Sequence, residues 1–230
     1  MELIPPTEKL RLAGACRLVP SRYPSRGILD AVSSVADLPL ILELETWSND
    51  RISSELGILH RIPKEEWVAG RPLASVVMAA FCHPRPTGGR FNSPERGAWY
   101  AANSLDGAHA EVVYHRTAEL AEIGVFETRV EMRLYQADFH AVFHDVRDNV
   151  PKNVPYHDPT SYTVSQALAR TLLADGSNGV VYRSVRHAGG QCLACFRPAL
   201  VTNVRAGAHF EYQWPGTRTP RVRLLSKLVS

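Results

Sequence analysis

The segment 88–112 contains the residues best suited to chemistry. A glycine pair precedes Arg90 and Asn92, and the segment continues through Tyr100 to a lone acid, Glu111. Glycine lets a backbone approach a ligand closely because it has no Cβ, and arginine offers a planar set of donors that matches phosphate. These residue types favour an anionic ligand that also carries an aromatic group and a sugar, and a nucleotide fits.

Glu111 lies among small apolar residues, which makes burial of its charge costly unless the carboxylate is paired or used. One interpretation is a salt bridge to Arg90 or Arg116. The other is a carboxylate that binds a ribose hydroxyl and stabilises positive charge on the sugar, as glycosidic cleavage requires. Both interpretations stay open from the residues alone.

Ser184 marks a second candidate site, at the end of a predicted strand. Arg183 precedes it, and basic residues and a second glycine pair follow, which resembles an anion-binding turn. The serine lacks the G-x-S-x-G elbow of a hydrolase, and neither glycine-rich segment is a P-loop or a G-x-G-x-x-G motif. A nucleophilic serine and a Walker or Rossmann site are therefore not expected.

Cys192 and Cys195, with His187 nearby, raise the question of zinc. The two cysteines lie inside a predicted strand, where three-residue spacing turns their side chains to opposite faces, and no second pair completes four ligands. We expect no metal site. With Cys16 and Cys82 the chain has four cysteines, too few for a disulfide scaffold of this length, so reduced thiols in the cytoplasm are expected.

The surrounding pattern predicts an α+β protein rather than a doubly wound sheet, because strands and helices alternate without a regular βαβ rhythm. Helices are predicted at 104–115 and 161–174, and 75–82 is ambiguous. The clearest strand, 124–136, alternates apolar and charged residues with a period of two. Further strands are predicted at 58–62, 98–102, 179–183 and 191–196, and a hairpin at 210–214 and 221–225.

The first 57 residues differ from the rest, because prolines separate short helical patterns such as 27–35 and 38–47. They are interpreted as an N-terminal helical extension packed on a main domain at 58–230. At 230 residues, 45% hydrophobic and 21% charged, the composition is that of a globular protein. No apolar run approaches the roughly 18 residues of a membrane span, and the first six residues do not resemble a secretory signal.

Three blocks of the sequence resemble the RES domain, whose name comes from an Arg, a Glu and a Ser. They are Arg90 in Gly-Gly-Arg-Phe-Asn, Glu111 in Ala-Glu-Val-Val-Tyr and Ser184 in Tyr-Arg-Ser-Val-Arg. The resemblance covers roughly 59–198. It implies a bacterial toxin of a RES–Xre toxin–antitoxin pair, with a mixed, split sheet similar to that of ADP-ribosyltransferase toxins such as diphtheria toxin.

The resemblance also implies an activity: cleavage of the nicotinamide–ribose bond of NAD⁺, by phosphorolysis or by hydrolysis. NAD⁺ is then a substrate and inorganic phosphate a second one, with no prosthetic group. Arg90 would hold the pyrophosphate or phosphate, and Tyr100 would face the nicotinamide or its ribose. Glu111 would stabilise the oxocarbenium, and Ser184 would contact phosphate or ribose.

Two more positions follow from the resemblance. Arg61, in Leu-His-Arg-Ile, matches an early arginine of the family, and Arg183 stands where many members carry proline and adds a phosphate ligand. Cys192 stands near a position where asparagine is common, so polar contacts from that strand are in doubt.

Two alternatives to the leading function remain. One keeps the fold but transfers ADP-ribose to a protein, although Glu127 and Glu131 lack the spacing of the usual paired acids. The other is a non-catalytic nucleic-acid-binding module, based on a pI of about 8.7 and three arginines in the tail. The net charge of +3 is too small to indicate nucleic-acid binding by itself, and in the family DNA is bound by the Xre-type helix-turn-helix antitoxin.

Overall fold

The computed structural model describes residues 4–22, 27–31, 36, 59 and 61–226. These residues form seven strands and four helices interspersed along the chain, which confirms the predicted α+β class. The strands are β1 (Thr7–Pro20), β2 (Trp99–Ala102), β3 (Glu127–Asp145), β4 (Gly179–Arg183), β5 (Gln191–Cys195), β6 (Thr202–Pro215) and β7 (Arg221–Ser226). The helices are α1 (Ile28–Ala31), α2 (Ala74–Cys82), α3 (Leu105–Ile123) and α4 (Thr163–Ala174).

All seven strands belong to one mixed sheet in the order β1-β2-β5-β4-β3-β6-β7. The β3–β4 pair is parallel and the other described pairs are antiparallel. Because β1 also pairs with β3, the strands β1, β2, β5, β4 and β3 close a ring. The expected mixed sheet is thus confirmed, but the described pairings join its strands instead of dividing it in two. The nearest approach to a split lies between β1 and β2, which pair at Cys16 and Ala102 alone among the described residues.

Strand β1 corrects the prediction of a helical N-terminal extension, which is wrong for residues 7–20. This strand pairs with β3 along its whole length, from Thr7 opposite His144 to Pro20 opposite Met132. A bulge between Leu12 and Ala15 interrupts the register, and this bulge breaks the period-two pattern that would have identified the strand. Of the predicted helix at 27–35, Ile28–Ala31 form α1 and 32–35 lie outside the described residues, as does the whole of the predicted helix at 38–47.

Helices cover both faces of the sheet. The buried residues of α2 recur at helical spacing and pack with Trp99, Ala101 and Leu193 on one face. On the other face, α3 and α4 pack with residues such as Ala102, Ala194 and Trp214. The sheet therefore holds α2 and α3 on opposite sides of β2, and the loops at the ends of β2 connect them.

Most predicted elements have the right type, and three of them, α3, β3 and β6, are longer than predicted. Helix α3 begins after its predicted cap, Ser104, whose side chain accepts from the Gly107 backbone N–H at 3.1 Å. It continues eight residues past the predicted end, to Ile123. Strand β3 likewise continues to Asp145. The ambiguous segment at 75–82 is helix α2, and the described residues of 58–62 are not in a strand. No helix in the described part of the chain is long and apolar enough to cross a membrane.

Candidate functional site

A cleft of about 640 Å³ opens where β1 and β2 diverge, between α2 and α3. Consecutive residues of both strands line it, 16–20 of β1 and 100–102 of β2, because the two strands separate beyond their single pair. The volume is typical of small-molecule sites. Among the described lining residues there are four arginines and a single carboxylate, Glu111: the arginines are Arg17, Arg85, Arg90 and Arg116.

Arg90 lies at one end of the cleft, 6% exposed. Its Nη1 donates to the backbone carbonyls of Tyr156 and Asp158, at 3.0 and 2.7 Å, and its guanidinium lies 4.7 Å from the centre of the Tyr162 ring. The guanidinium therefore holds segment 156–162 against the cleft. The hydrogen bonds seen among the described residues use Nη1, so the remaining N–H groups are left for an anion.

Tyr100 and Asn92 hold the loop that carries Arg90. The Tyr100 hydroxyl accepts from the Phe91 backbone N–H and donates to Asn92 Oδ1, both at 2.8 Å. Asn92 Nδ2 donates to the carbonyls of Ser93 and Arg96. Burial raises the pKa of the Tyr100 phenol, so it stays protonated. Both side chains line the cleft, yet their polar atoms are occupied within the loop.

The glycine pair is required by close contact with these side chains. A Cβ on Gly89 would lie 2.5 Å from Asn92 Oδ1 and 2.8 Å from the Tyr100 hydroxyl. Gly88 has a positive φ of 72°, and a Cβ there would meet the Asn92 carbonyl at 2.3 Å. Gln166 of α4 donates to the Gly89 carbonyl at 2.9 Å. The glycines thus serve loop packing, in addition to the ligand contact that the sequence suggested.

Glu111 lies at the other side of the cleft, on α3, with 30% of its side chain exposed. Its Oε1 accepts from Ser184 Oγ at 3.2 Å, and His115 Nε2 lies 3.5 Å from its Oε2. Burial raises the pKa of the carboxyl, but interactions with His115, Ser184 and the positive charge of Arg186 together outweigh that effect, and the pKa lies below its ordinary value. Neither expected salt bridge, to Arg90 or Arg116, is present among the described residues, and Glu111 is an ionised carboxylate facing the cleft.

Ser184 follows β4 and has a fixed orientation. Its Oγ accepts from the backbone N–H groups of Arg186 and His187, at 3.1 and 3.0 Å, and this leaves its proton for Glu111. The turn that sequence analysis interpreted as an anion site thus binds the hydroxyl of its own serine. Ser184 acts on the cleft through Glu111.

Two predicted site residues lie away from this cleft. Arg183 precedes Ser184 on the opposite face of β4, where its Nη2 donates to Asn149 Oδ1 at 3.2 Å. Arg61 is exposed in the turn before the 3₁₀ helix Lys64–Glu66 and does not line the cleft. Their predicted roles in substrate binding stay predictions, without a contact to the other site residues.

Sequence reasoning missed Arg17 as a cleft residue, as it did Arg85 and His115. Arg17 lies on β1, and its Nη1 donates to the Tyr100 carbonyl at 3.1 Å across the gap between β1 and β2. Burial lowers the pKa of this guanidinium to about 10, so it remains charged at neutral pH. The alternation of Lys9, Leu10, Arg11 and Leu12 could have indicated a strand here, but the bulge ends that pattern before Arg17.

The cysteines do not form a site. Cys192 and Cys195 are free and buried, and they belong to different core clusters on opposite faces of β5, as their spacing predicted. Burial raises the pKa of each thiol to about 12. Among the described residues no group of three or more His, Cys, Asp or Glu side chains is placed to hold a metal ion.

The arrangement can bind an anion and stabilise a cation in one cleft. The arginines supply positive charge for a phosphate-bearing ligand, and Glu111 is a fixed negative charge with a free face toward the cavity. A carboxylate in that position favours positive charge that develops on a bound sugar. The tyrosines Tyr100, Tyr162 and Tyr182 and the apolar residues of β1 and α2 provide surface for flat, uncharged groups.

Comparison with known proteins gives three findings. The family model for the RES domain matches residues 58–215. An uncharacterized protein of Sinorhizobium fredii, y4oC, is 28% identical over 209 residues, which cover 88% of this chain and 83% of the relative. A chain of the crystal structure of the M. tuberculosis MbcT–MbcA toxin–antitoxin complex is 15% identical with a TM-score of 0.48, over 89% of this chain and 86% of that chain.

Proposed function

Because the chain belongs to the RES domain family, we propose that it is an enzyme that cleaves the nicotinamide–ribose bond of NAD⁺, with inorganic phosphate or water as the acceptor. Nicotinamide is the leaving group, and its bond to C1 of the ribose breaks while the bond from the acceptor oxygen forms. The positive charge of the pyridinium ring passes to the ribose in the transition state, which has oxocarbenium character.

The observation that carries the proposal is an arginine-lined cleft in which Glu111 is the one carboxylate among the described lining residues. Glu111 is ionised, and it is held by Ser184 through Oε1. An ionised group fixed before the reaction lowers the energy of a developing cation without reorganising. The same carboxylate would repel the phosphates of the dinucleotide, so these would lie toward Arg90 and Arg17.

The remaining residues have roles that follow from their contacts. Arg90 would hold the pyrophosphate with the donors that segment 156–162 does not use. Tyr100 would offer its ring to the nicotinamide or its ribose, since its hydroxyl is occupied by Phe91 and Asn92. Arg85 and Arg116 lie on the Glu111 side of the cleft, where positive charge would attract a phosphate acceptor.

The biological setting proposed with this activity is that of the family. The enzyme would act in the cytoplasm as the toxin of a toxin–antitoxin pair, deplete NAD⁺, and be silenced by an Xre-type helix-turn-helix antitoxin that binds the DNA. The proposed fold relationship is to ADP-ribosyltransferases, with the cleft between β1 and β2 as the NAD⁺ site.

The test is to incubate the purified protein, free of antitoxin, with NAD⁺ and to separate the products by chromatography. We expect ADP-ribose 1″-phosphate that forms only with added phosphate, or free ADP-ribose in both conditions, together with nicotinamide. Glu111→Gln is expected to lower the rate by about 10²- to 10³-fold, as loss of one preorganised electrostatic group does.

Glu122→Gln is the matched control, because Glu122 is on the same helix but exposed and outside the cleft. It should retain the wild-type rate. Intact NAD⁺ in both conditions would refute the proposal. Labelled ADP-ribose on an added protein would instead favour transfer to a protein acceptor.

A further inference from the structure

A chain of three side chains runs from the rim of the cleft to Glu111. Arg85 Nη1 lies 3.0 Å from His115 Nδ1, and His115 Nε2 lies 3.5 Å from Glu111 Oε2. Glu111 and His115 are one helical turn apart on α3, and Arg85 comes from the loop after α2. The two Glu111 oxygens thus face different partners, Ser184 at Oε1 and His115 at Oε2.

The contact with Arg85 determines which nitrogen of His115 carries the proton. A guanidinium has donors and no acceptor, so a hydrogen bond between Arg85 and His115 requires a lone pair on Nδ1. The imidazole is then neutral and its proton is on Nε2, the nitrogen that lies 3.5 Å from Glu111 Oε2. A doubly protonated ring would place its Nδ1–H against the N–H of Arg85.

We propose that His115 is a positioning residue for Glu111: its neutral Nε2–H orients the carboxylate, and Arg85 holds the imidazole in that tautomer. This inference rests on the proposed function, since it assigns the orientation of the carboxylate used there. A neutral donor orients Glu111 without cancelling its charge, so the carboxylate keeps its full effect on a cation in the cleft.

Other charged groups around His115 come from two elements. On α3, Glu119 pairs with Arg85 at 3.4 Å and with Arg116 at 2.7 Å, and the Tyr114 ring lies edge-on to the imidazole. From the loop after β4, Arg186 stacks on Tyr114.

The kinetic test compares two substitutions. His115→Ala removes the donor, and we expect kcat to fall at least tenfold with KM little changed, in line with the loss of a hydrogen bond to a charged group. His115→Gln keeps a neutral N–H donor that does not titrate. It should retain most of kcat at neutral pH.

Arg85→Gln tests the second half of the proposal. Removal of the guanidinium leaves Nδ1 without the donor that requires its lone pair, so the proton should no longer be confined to Nε2. His140→Gln is the matched control, because His140 is exposed on β3 and does not line the cleft. Its kcat should be that of the wild type.

A direct measurement does not depend on activity. Nitrogen-15 NMR of the histidine rings, with His115 assigned by comparison with His115→Gln, should report a proton on Nε2 in the wild type and a changed tautomer in Arg85→Gln. A proton on Nδ1 in the wild type would overturn the proposal, as would a His115→Ala enzyme with unchanged kcat. If the wild type leaves NAD⁺ intact, the proposed function fails, while the NMR result still decides the tautomer.

Discussion

The two sides of the cleft are built in opposite ways. Around Arg90, Nη1 of the guanidinium, the phenol of Tyr100 and the amide of Asn92 are occupied by contacts to backbone and to one another. Around Glu111, the side chains are partly exposed: 30% for the glutamate and 48% for Arg85. One side is organised to keep its shape, and the other keeps a charge available to solvent and ligand.

This difference gives Arg90 and Glu111 distinct structural roles, although the sequence motif contains both. Arg90 and Glu111 both belong to blocks that resemble the same family. The structure indicates that replacing Arg90 changes the folded state, whereas replacing Glu111 changes mainly the electrostatics of the cleft. Stability measurements on variants can therefore confirm or break the comparison without any substrate.

The largest effect on stability is expected for Arg90→Ala. The variant loses two charge-assisted hydrogen bonds and leaves the carbonyls of Tyr156 and Asp158 without this donor, so the free energy of unfolding should fall by about 3 kcal/mol. Urea denaturation measures this loss, provided that the free energy of unfolding depends on urea concentration with the same slope in both proteins. Arg170→Ala, at an exposed position on α4, should stay within about 0.5 kcal/mol of the wild type. A larger loss for Glu111→Gln than for Arg90→Ala would reverse the comparison.

A smaller loss is expected for Tyr100→Phe. Without the hydroxyl, the Phe91 N–H and Asn92 Oδ1 lose their common partner, which should cost about 2 kcal/mol in the free energy of unfolding. Tyr114→Phe is the control, since its hydroxyl makes one exposed contact of 3.3 Å to the Pro159 carbonyl. If both variants unfold at the wild-type midpoint, the phenol of Tyr100 does not hold the loop.

The smallest effect on stability is expected for a substitution at Asp138, whose side chain holds the bulge of β1. Its Oδ1 accepts from the Gly14 N–H at 2.7 Å, and hydrogen bonds from Arg205 and Gly14 lower the pKa of the carboxyl to about 2. Because the pKa is lowered, the ionised carboxylate contributes its full share to the free energy of unfolding above the ordinary pKa of 3.8. That share is lost as the pH falls through about 2.

Asp138→Asn should therefore be about 1–2 kcal/mol less stable than the wild type at pH 7, with a difference that shrinks below pH 4. Denaturation at several pH values measures it, and Asp175→Asn, exposed at the end of α4, should show no such trend. A difference that is constant from pH 7 to pH 2 would mean that the charge of Asp138 does not contribute.

The sequence predicted the elements that carry strong local signals. Strands β2, β4 and β5 are short and flanked by glycine or polar turns, and α3 has a serine cap, so their positions follow from local chemistry. The extensions of β3 and α3 do not, because pairing with β1 and packing against the sheet decide where those elements end. Local patterns contain no information about a partner far along the chain.

The candidate site could be predicted only in part, because its residues come together from distant parts of the chain. Glu111 and Ser184 are 73 residues apart, and the structure joins them by a hydrogen bond. Arg17 was not found, because proline punctuation and a bulge concealed its strand. His115 was not predicted as a site residue, and its contact with Arg85 depends on how the loop after α2 folds.

The ring of strands makes β1 part of the folding domain of this protein. The region that the family model matches, 58–215, contains β3 but neither β1 nor Arg17. A fragment with those limits would expose the edge of β3 from Met132 to His144, which in the whole chain is paired with β1. Open edges of that length invite association between molecules. The limits of the family match are thus narrower than the limits of the sheet, and β1, which forms one wall of the cleft, lies outside that match.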